Sequence, residues 1–222
     1  MTTTFFRGTA MTQLETSFDN AEQQRGTLGM WVFLATEAMF FGALFLGYSV
    51  YRVLYPGGFA EASAHLNLVL GTANTTILLT SSLTVALAVH AAQNEHRGRT
   101  FFFLVSTLVL GTSFLVIKGI EYRQEIAGGF LPGEAFTYVS PDHERPATRE
   151  VELFFLFYFI MTSLHALHML IGLAVFTFLA FGVGRPERPA QHAMAIELTG
   201  LYWHFVDIIW IFLFPLLYLI GH

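Results

Sequence analysis

The chain has 222 residues, of which 54% are hydrophobic and only 12% charged, and its mean hydropathy is +0.56. With 24 Phe and apolar runs longer than about 18 residues, this composition excludes a water-soluble domain and predicts an integral membrane protein. The formal charge of -5 argues against a nucleic-acid partner, and the lack of Cys removes disulfides, iron–sulfur clusters and thiolate chemistry.

Residues 1–26 are polar, rich in Thr and Gln, and predict a mobile or surface-lying arm. A first span follows at about 27–53, with Glu37 inside it. A turn around Pro56, Gly57 and Gly58 leads to a second span at about 67–91. There Asn74 and Ser81 line one ridge while Thr76, Thr80 and Thr84 line another. Small hydroxyl residues let neighbouring helices approach closely and hydrogen-bond across the interface.

A short basic connection precedes the third span, about 100–122, in which Lys118 and Glu121 form an i,i+3 pair able to neutralise itself near the interface. Residues 123–149 predict the longest loop, and a fourth span at about 150–183 carries His165 and His168. A Pro- and Arg-rich break leads to the fifth span, about 199–220, with His204 and Asp207. Helical spacing puts Gly200, His204, Asp207, Ile211 and Phe214 on one stripe. A carboxylate facing lipid costs several kcal/mol, so that stripe should face protein. The reading is an all-α bundle of five transmembrane helices, one domain over 27–222. The distribution of Arg favours an N-terminus inside and a C-terminus outside.

The buried polar residues admit four readings. His165 and His168 share a helix face and His204 offers a third imidazole, a pattern open to a metal or haem. Glu37, His204 and Asp207 have the chemistry of a proton path. The same groups, with Asn74, Lys118, Glu121 and Glu197, can instead pair with one another in a seam that fixes helix register. The fourth reading extends that seam to a partner protein or a bound lipid.

The motifs in order narrow this. Gly29 through Phe41 with Glu37, Asn74 through Ser82, and Gly111 through Tyr122 with Glu121 come first. His165 and His168 with Gly172, then Glu197 and Tyr202 through Asp207 with Trp210, follow. From about Leu28 onward this series resembles subunit III of the haem–copper oxidases, the cytochrome c oxidase subunit 3 family, in its five-helix bacterial form. The resemblance implies a non-catalytic subunit of a proton-pumping terminal oxidase in a bacterial plasma membrane. It implies haem and copper in partner subunits I and II and none in this chain, with subunit I as the main contact and bound phospholipid in a cleft. Cytochrome c or quinol would be the indirect electron donor. By motif match, Glu37 is the carbodiimide-reactive membrane acid that supports proton uptake.

Three features depart from the family pattern: Lys118 stands where mitochondrial-type members have Gln, Ala166 replaces a Gly between the two histidines, and the 123–149 loop is longer. A quinol oxidase subunit or a nitric oxide reductase accessory protein remain alternatives within the family. A stand-alone haem-binding or proton-transport protein is the alternative of another class.

Overall fold

The computed structural model describes the backbone of residues 2–138, 145–183 and 189–221, and the side chains of 24–138, 148–183 and 192–221. Among the described residues there are six helices: α1 (Thr2–Leu54), α2 (Pro56–His65), α3 (Leu68–Gln93), α4 (Arg97–Ala127), α5 (Arg145–Gly182) and α6 (Pro189–Tyr218). Five stretches are long and apolar enough to cross a membrane: Gln24–Leu54, Leu68–Gln93, Arg97–Ala127, Thr148–Gly182 and His192–Tyr218. The chain is thus an all-α, multi-pass membrane bundle. It divides into two compact units, Met1–Ala38 and Met39–His222. The first is the N-terminal stretch of α1, whose backbone is helical from Thr2.

Within the second unit α3 packs most extensively on α4 and then on α6, while α5 bridges α4 and α6. As residue numbers rise along α3 they fall along its α6 partners, from Thr75 with Trp210 to Ser82 with His204, so the two helices are antiparallel. α6 is the central helix. Half of its apolar window is buried, against 11–33% for the other spans. Its buried stripe is Trp203, Val206, Trp210, Leu213 and Leu217, an alternating three-and-four spacing that keeps one seam inward.

The Trp203 ring needs room, which neighbouring glycines supply. A Cβ added at Gly172 would lie 2.8 Å from Trp203 Cε3, and one at Gly111 2.9 Å from Trp203 Cη2. The six-membered ring of the indole therefore sits close against bare backbone on both α5 and α4.

The structure corrects three boundaries. The turn at Pro56, Gly57 and Gly58 is instead the start of α2, whose Pro occupies the first turn where its missing N–H is harmless. Phe59, Ala62 and Ser63 are buried on that short helix, and burial against α5 and α6 stabilises what local propensity would not. The loop expected at 123–149 is shorter, since α4 runs on to Ala127 and α5 starts at Arg145. Glu121 and Glu125 are both buried, which carries the inward face of α4 one turn further. Gly128 and Gly129, the latter at φ 81, then end it. Residues 139–144 of that expected loop lie outside the described residues, as do 184–188 of the expected break before the fifth span.

Replacing Gly172 by Val should drive a methyl into the Trp203 ring and destabilise the bundle by roughly 1–3 kcal/mol. A thermal melt in detergent checks this, and a variant that melts with the parent would show that the indole can move aside.

Candidate functional site

The period of α4 stacks Lys118, Glu121 and Glu125 on one face, and all three are buried. Lys118 Nζ donates to Glu121 Oε1 at 3.1 Å, to Tyr158 Oη at 3.1 Å and to Tyr218 Oη at 2.6 Å. Each phenol in turn donates a hydrogen bond to the same Glu121 oxygen, Tyr158 at 2.8 Å and Tyr218 by a short bond. Four aromatic rings surround the ammonium, with centroids 4.6 Å (Tyr158), 5.2 Å (Trp210), 5.2 Å (Tyr218) and 5.6 Å (Tyr122) away. Their negative faces add cation–π attraction to the ion pair. All three ammonium protons and one carboxylate oxygen are satisfied. Glu121 Oε2, equally buried, accepts no hydrogen bond.

This cluster joins α4, α5 and α6 at one point. The sequence pairs Lys118 with Glu121 but does not reveal the two tyrosines, which lie 40 and 100 residues from the lysine. The available signal was small: Tyr158 interrupts a Phe-rich run, and a lone hydroxyl there asks for a partner.

A second set of contacts joins α3 to its neighbours. Trp203 Nε1 donates to Ser81 Oγ at 3.0 Å and Trp210 Nε1 to Thr75 Oγ1 at 3.1 Å. Thr84 Oγ1 and Thr107 Oγ1 meet at 2.8 Å between α3 and α4. His204 Nδ1 is 2.7 Å from Ser82 Oγ. These are serine and threonine side chains bonding across helix interfaces, where no water competes.

The remaining polar residues go to separate surroundings. His165 is buried between the rings of Phe114 and Trp210, and neither of its nitrogens has a hydrogen-bond partner among the described residues. His168 instead turns Nδ1 to Leu164 O at 2.8 Å, with the Phe41 ring 5.4 Å away. Glu197 is exposed and accepts from Gln93 Nε2 at 3.3 Å. Asn74 is buried, with neither side-chain atom hydrogen-bonded. Glu37 belongs to the first unit, Met1–Ala38. Among the described residues no group of three His, Cys, Asp or Glu is arranged to hold a metal ion.

The stripe on the last helix needs correction. Gly200 and Asp207 are buried and His204 and Phe214 half-buried, but Ile211 is 44% exposed. The inward seam of α6 is set by Trp203 and Trp210 rather than by the polar pair. Nor does Asp207 hold His204, which pairs with Ser82. Ser82 borders Asp207 without reaching hydrogen-bond geometry, and neither carboxyl oxygen has a hydrogen-bond partner among the described residues.

Beyond the spans, Tyr138 Oη donates to Glu61 Oε1 at 2.8 Å and lies 3.0 Å from His65 Nε2. Local desolvation, then the hydrogen bond and charge of Glu61, push the Tyr138 phenol up to about 12. A cleft of about 1070 Å³ opens nearby, lined among others by Tyr51, Tyr55, Arg149, Leu153 and Leu156.

Fold and seam together define a multi-pass helical membrane protein whose helices are tied by polar contacts inside the bundle. The sequence profile of cytochrome c oxidase subunit III matches residues 144–222. Across 217 residues, 96% of each chain, the sequence is 31% identical to the probable cytochrome c oxidase subunit 3 of Mycobacterium tuberculosis. It is 32% identical over 201 residues, 87% of each chain, to cytochrome c oxidase subunit 3 of Corynebacterium diphtheriae. The probable quinol oxidase subunit 3 of Staphylococcus epidermidis is 26% identical over 206 residues, 90% of this chain and 91% of its own. The chain belongs to the cytochrome c oxidase subunit III family.

Lys118→Met should cost about 3–5 kcal/mol, because it strands a buried carboxylate. Adding Glu121→Leu should recover part of that loss. A double-mutant cycle on detergent-solubilised protein measures both, and a double variant no better than Lys118→Met would show that the pair is not coupled.

Proposed function

We propose that this chain is the non-catalytic subunit III of a proton-pumping terminal oxidase in a bacterial plasma membrane. It forms a helical wall beside the catalytic subunit I, with subunit II in the same complex, and supports proton uptake through Glu37. The observation that carries this reading is similarity along 96% of the chain to proteins named as oxidase subunits. A match of that extent supports the reading along nearly the whole chain, which a single shared motif would not. Haem, copper and the reduction of oxygen belong to the partner subunits.

The cleft supports a lipid role. Leu153 and Leu156 give it apolar wall, Tyr51 and Tyr55 give amphipathic rings, and Arg149 gives a cation for a phosphate, with Glu150 and Glu152 beside it able to face a headgroup ammonium. That combination suits a phospholipid, with acyl chains along the helices and the headgroup at the rim. Five spans put the termini on opposite faces, and the excess of Arg in the segments on the N-terminal side favours N-in, C-out. On the electron donor, the Mycobacterium and Corynebacterium matches favour cytochrome c, while the Staphylococcus match keeps quinol as the second reading.

Tagging the chain, extracting it gently from its native membrane and recording a reduced-minus-oxidised spectrum tests the assignment. Haem bands should travel with a large multi-helix partner and vanish once this chain is isolated. A haem signal retained by the isolated chain would make it a haem protein in its own right. Within the complex, Glu37→Gln should assemble normally yet lose most labelling by a hydrophobic carbodiimide. Undiminished labelling would remove Glu37 from proton uptake.

A further inference from the structure

The hydrogen bonds around Glu121 are lopsided. Oε1 takes three donors, from Lys118, Tyr158 and Tyr218, while Oε2 is sealed from solvent and takes none. A buried carboxylate oxygen with no donor is costly, and native interiors rarely leave one so. Glu125 lies one turn further along the same face of α4, 6% exposed and within Coulombic reach of both Glu121 and Lys118. At i,i+4 the two carboxyl groups are neighbours. The charges do not balance: one ammonium faces two carboxylates.

We propose that Glu125 and Glu121 together form a proton-binding site, with one proton carried by Glu125 and donated to Glu121 Oε2. That proton supplies the missing donor and brings Lys118, Glu121 and Glu125 to zero net charge. The ammonium of Lys118 beside the site makes a metal cation a poor occupant, whereas a proton adds no second cation to the cage.

The surrounding elements bring few other candidates. α5 contributes Tyr158 and α6 contributes Tyr218, both already bonded to Glu121 Oε1. Tyr122, on α4 itself, is engaged with Thr162 Oγ1 at 2.6 Å on α5. His165 lies further along α5, against Phe114 and Trp210. On α3 the one ionisable side chain is His90, in the last turn at the far end of the helix. The site is closest to bulk water at the C-terminal end of α4, where the chain turns back and Phe130 N bonds to Glu125 O at 3.1 Å. Phe130 is itself buried, with the rings of His65 and Tyr138 packed on it at 5.0 and 4.8 Å. Glu125 is therefore the exchanging end and Glu121 the inner, permanently held end. The site does not depend on which oxidase the chain serves.

Difference infrared spectra test this on the membrane complex purified through a tag on this chain, as it moves from mildly acidic to alkaline buffer. The parent should lose a protonated-carboxyl C=O band. Glu125→Gln should lack that band and still fold, since its amide can donate to Glu121 Oε2 as the acid did. Glu121→Gln should shift the band by removing the anionic acceptor. As a second readout, the parent's melting temperature should fall relative to that of Glu125→Gln as pH rises. If Glu125→Gln fails to assemble, Glu125→Asp replaces it and should move the band. No band in the parent, or one that ignores substitution at Glu125, overturns the proposal.

Discussion

Lys118 has three ammonium protons to satisfy at a site sealed from bulk solvent, where its side chain is buried. Everything around it follows from that constraint. The carboxylate that neutralises it must come from the same helix face, one turn away, and the other two acceptors must be carried in by other helices. Tyr158 and Tyr218 meet that need because each hydroxyl both accepts from the lysine and donates to Glu121. A serine would lack the ring that faces the cation, and a phenylalanine would lack the hydroxyl. The arrangement fixes the rotation of α4, α5 and α6 about their axes, since turning any one of them would separate the ion pair on α4 from a phenol and leave a buried charged group short of a hydrogen-bond partner.

The tryptophans complete what the ion pair begins. Trp210 stands over Lys118 and against His165 while its indole N–H reaches Thr75, so one side chain touches α3, α4 and α5 from its place on α6. Trp203, two turns earlier, repeats the pattern with Ser81 and two bare glycine backbones. In lipid the apolar parts of these contacts gain little from leaving the solvent, so close packing and interhelical hydrogen bonds carry the association. This is why small residues and hydroxyls, rather than a larger apolar surface, mark the faces that meet.

Where sequence reading missed, it missed for identifiable reasons. Pro56 followed by two glycines has the composition of a turn, yet the same Pro suits the first turn of a helix, and only the seats for Phe59 and Ala62 decide between them. Arg123, Gln124 and Glu125 resemble the start of a polar loop, yet Glu125 is buried on the face it shares with Lys118 and Glu121, and the helix continues to Ala127. His204 and Asp207 share a face by spacing, but sharing a face does not create a bond. Ser82 on another helix took the histidine.

The sequence by itself determined the class, the number of spans and their approximate limits, because hydropathy over some twenty residues is a local property that does not depend on neighbours. It also carried the ordered motifs that mark the family. Tertiary structure decided which polar groups meet. Lys118 finds Tyr218 across 100 residues, and His165 and His168, three apart, enter different surroundings. Those outcomes depend on the rotation and register of each helix against the others. The Lys118 cluster and the packing of Trp203 on Gly111 and Gly172 set both together, and no single segment encodes them.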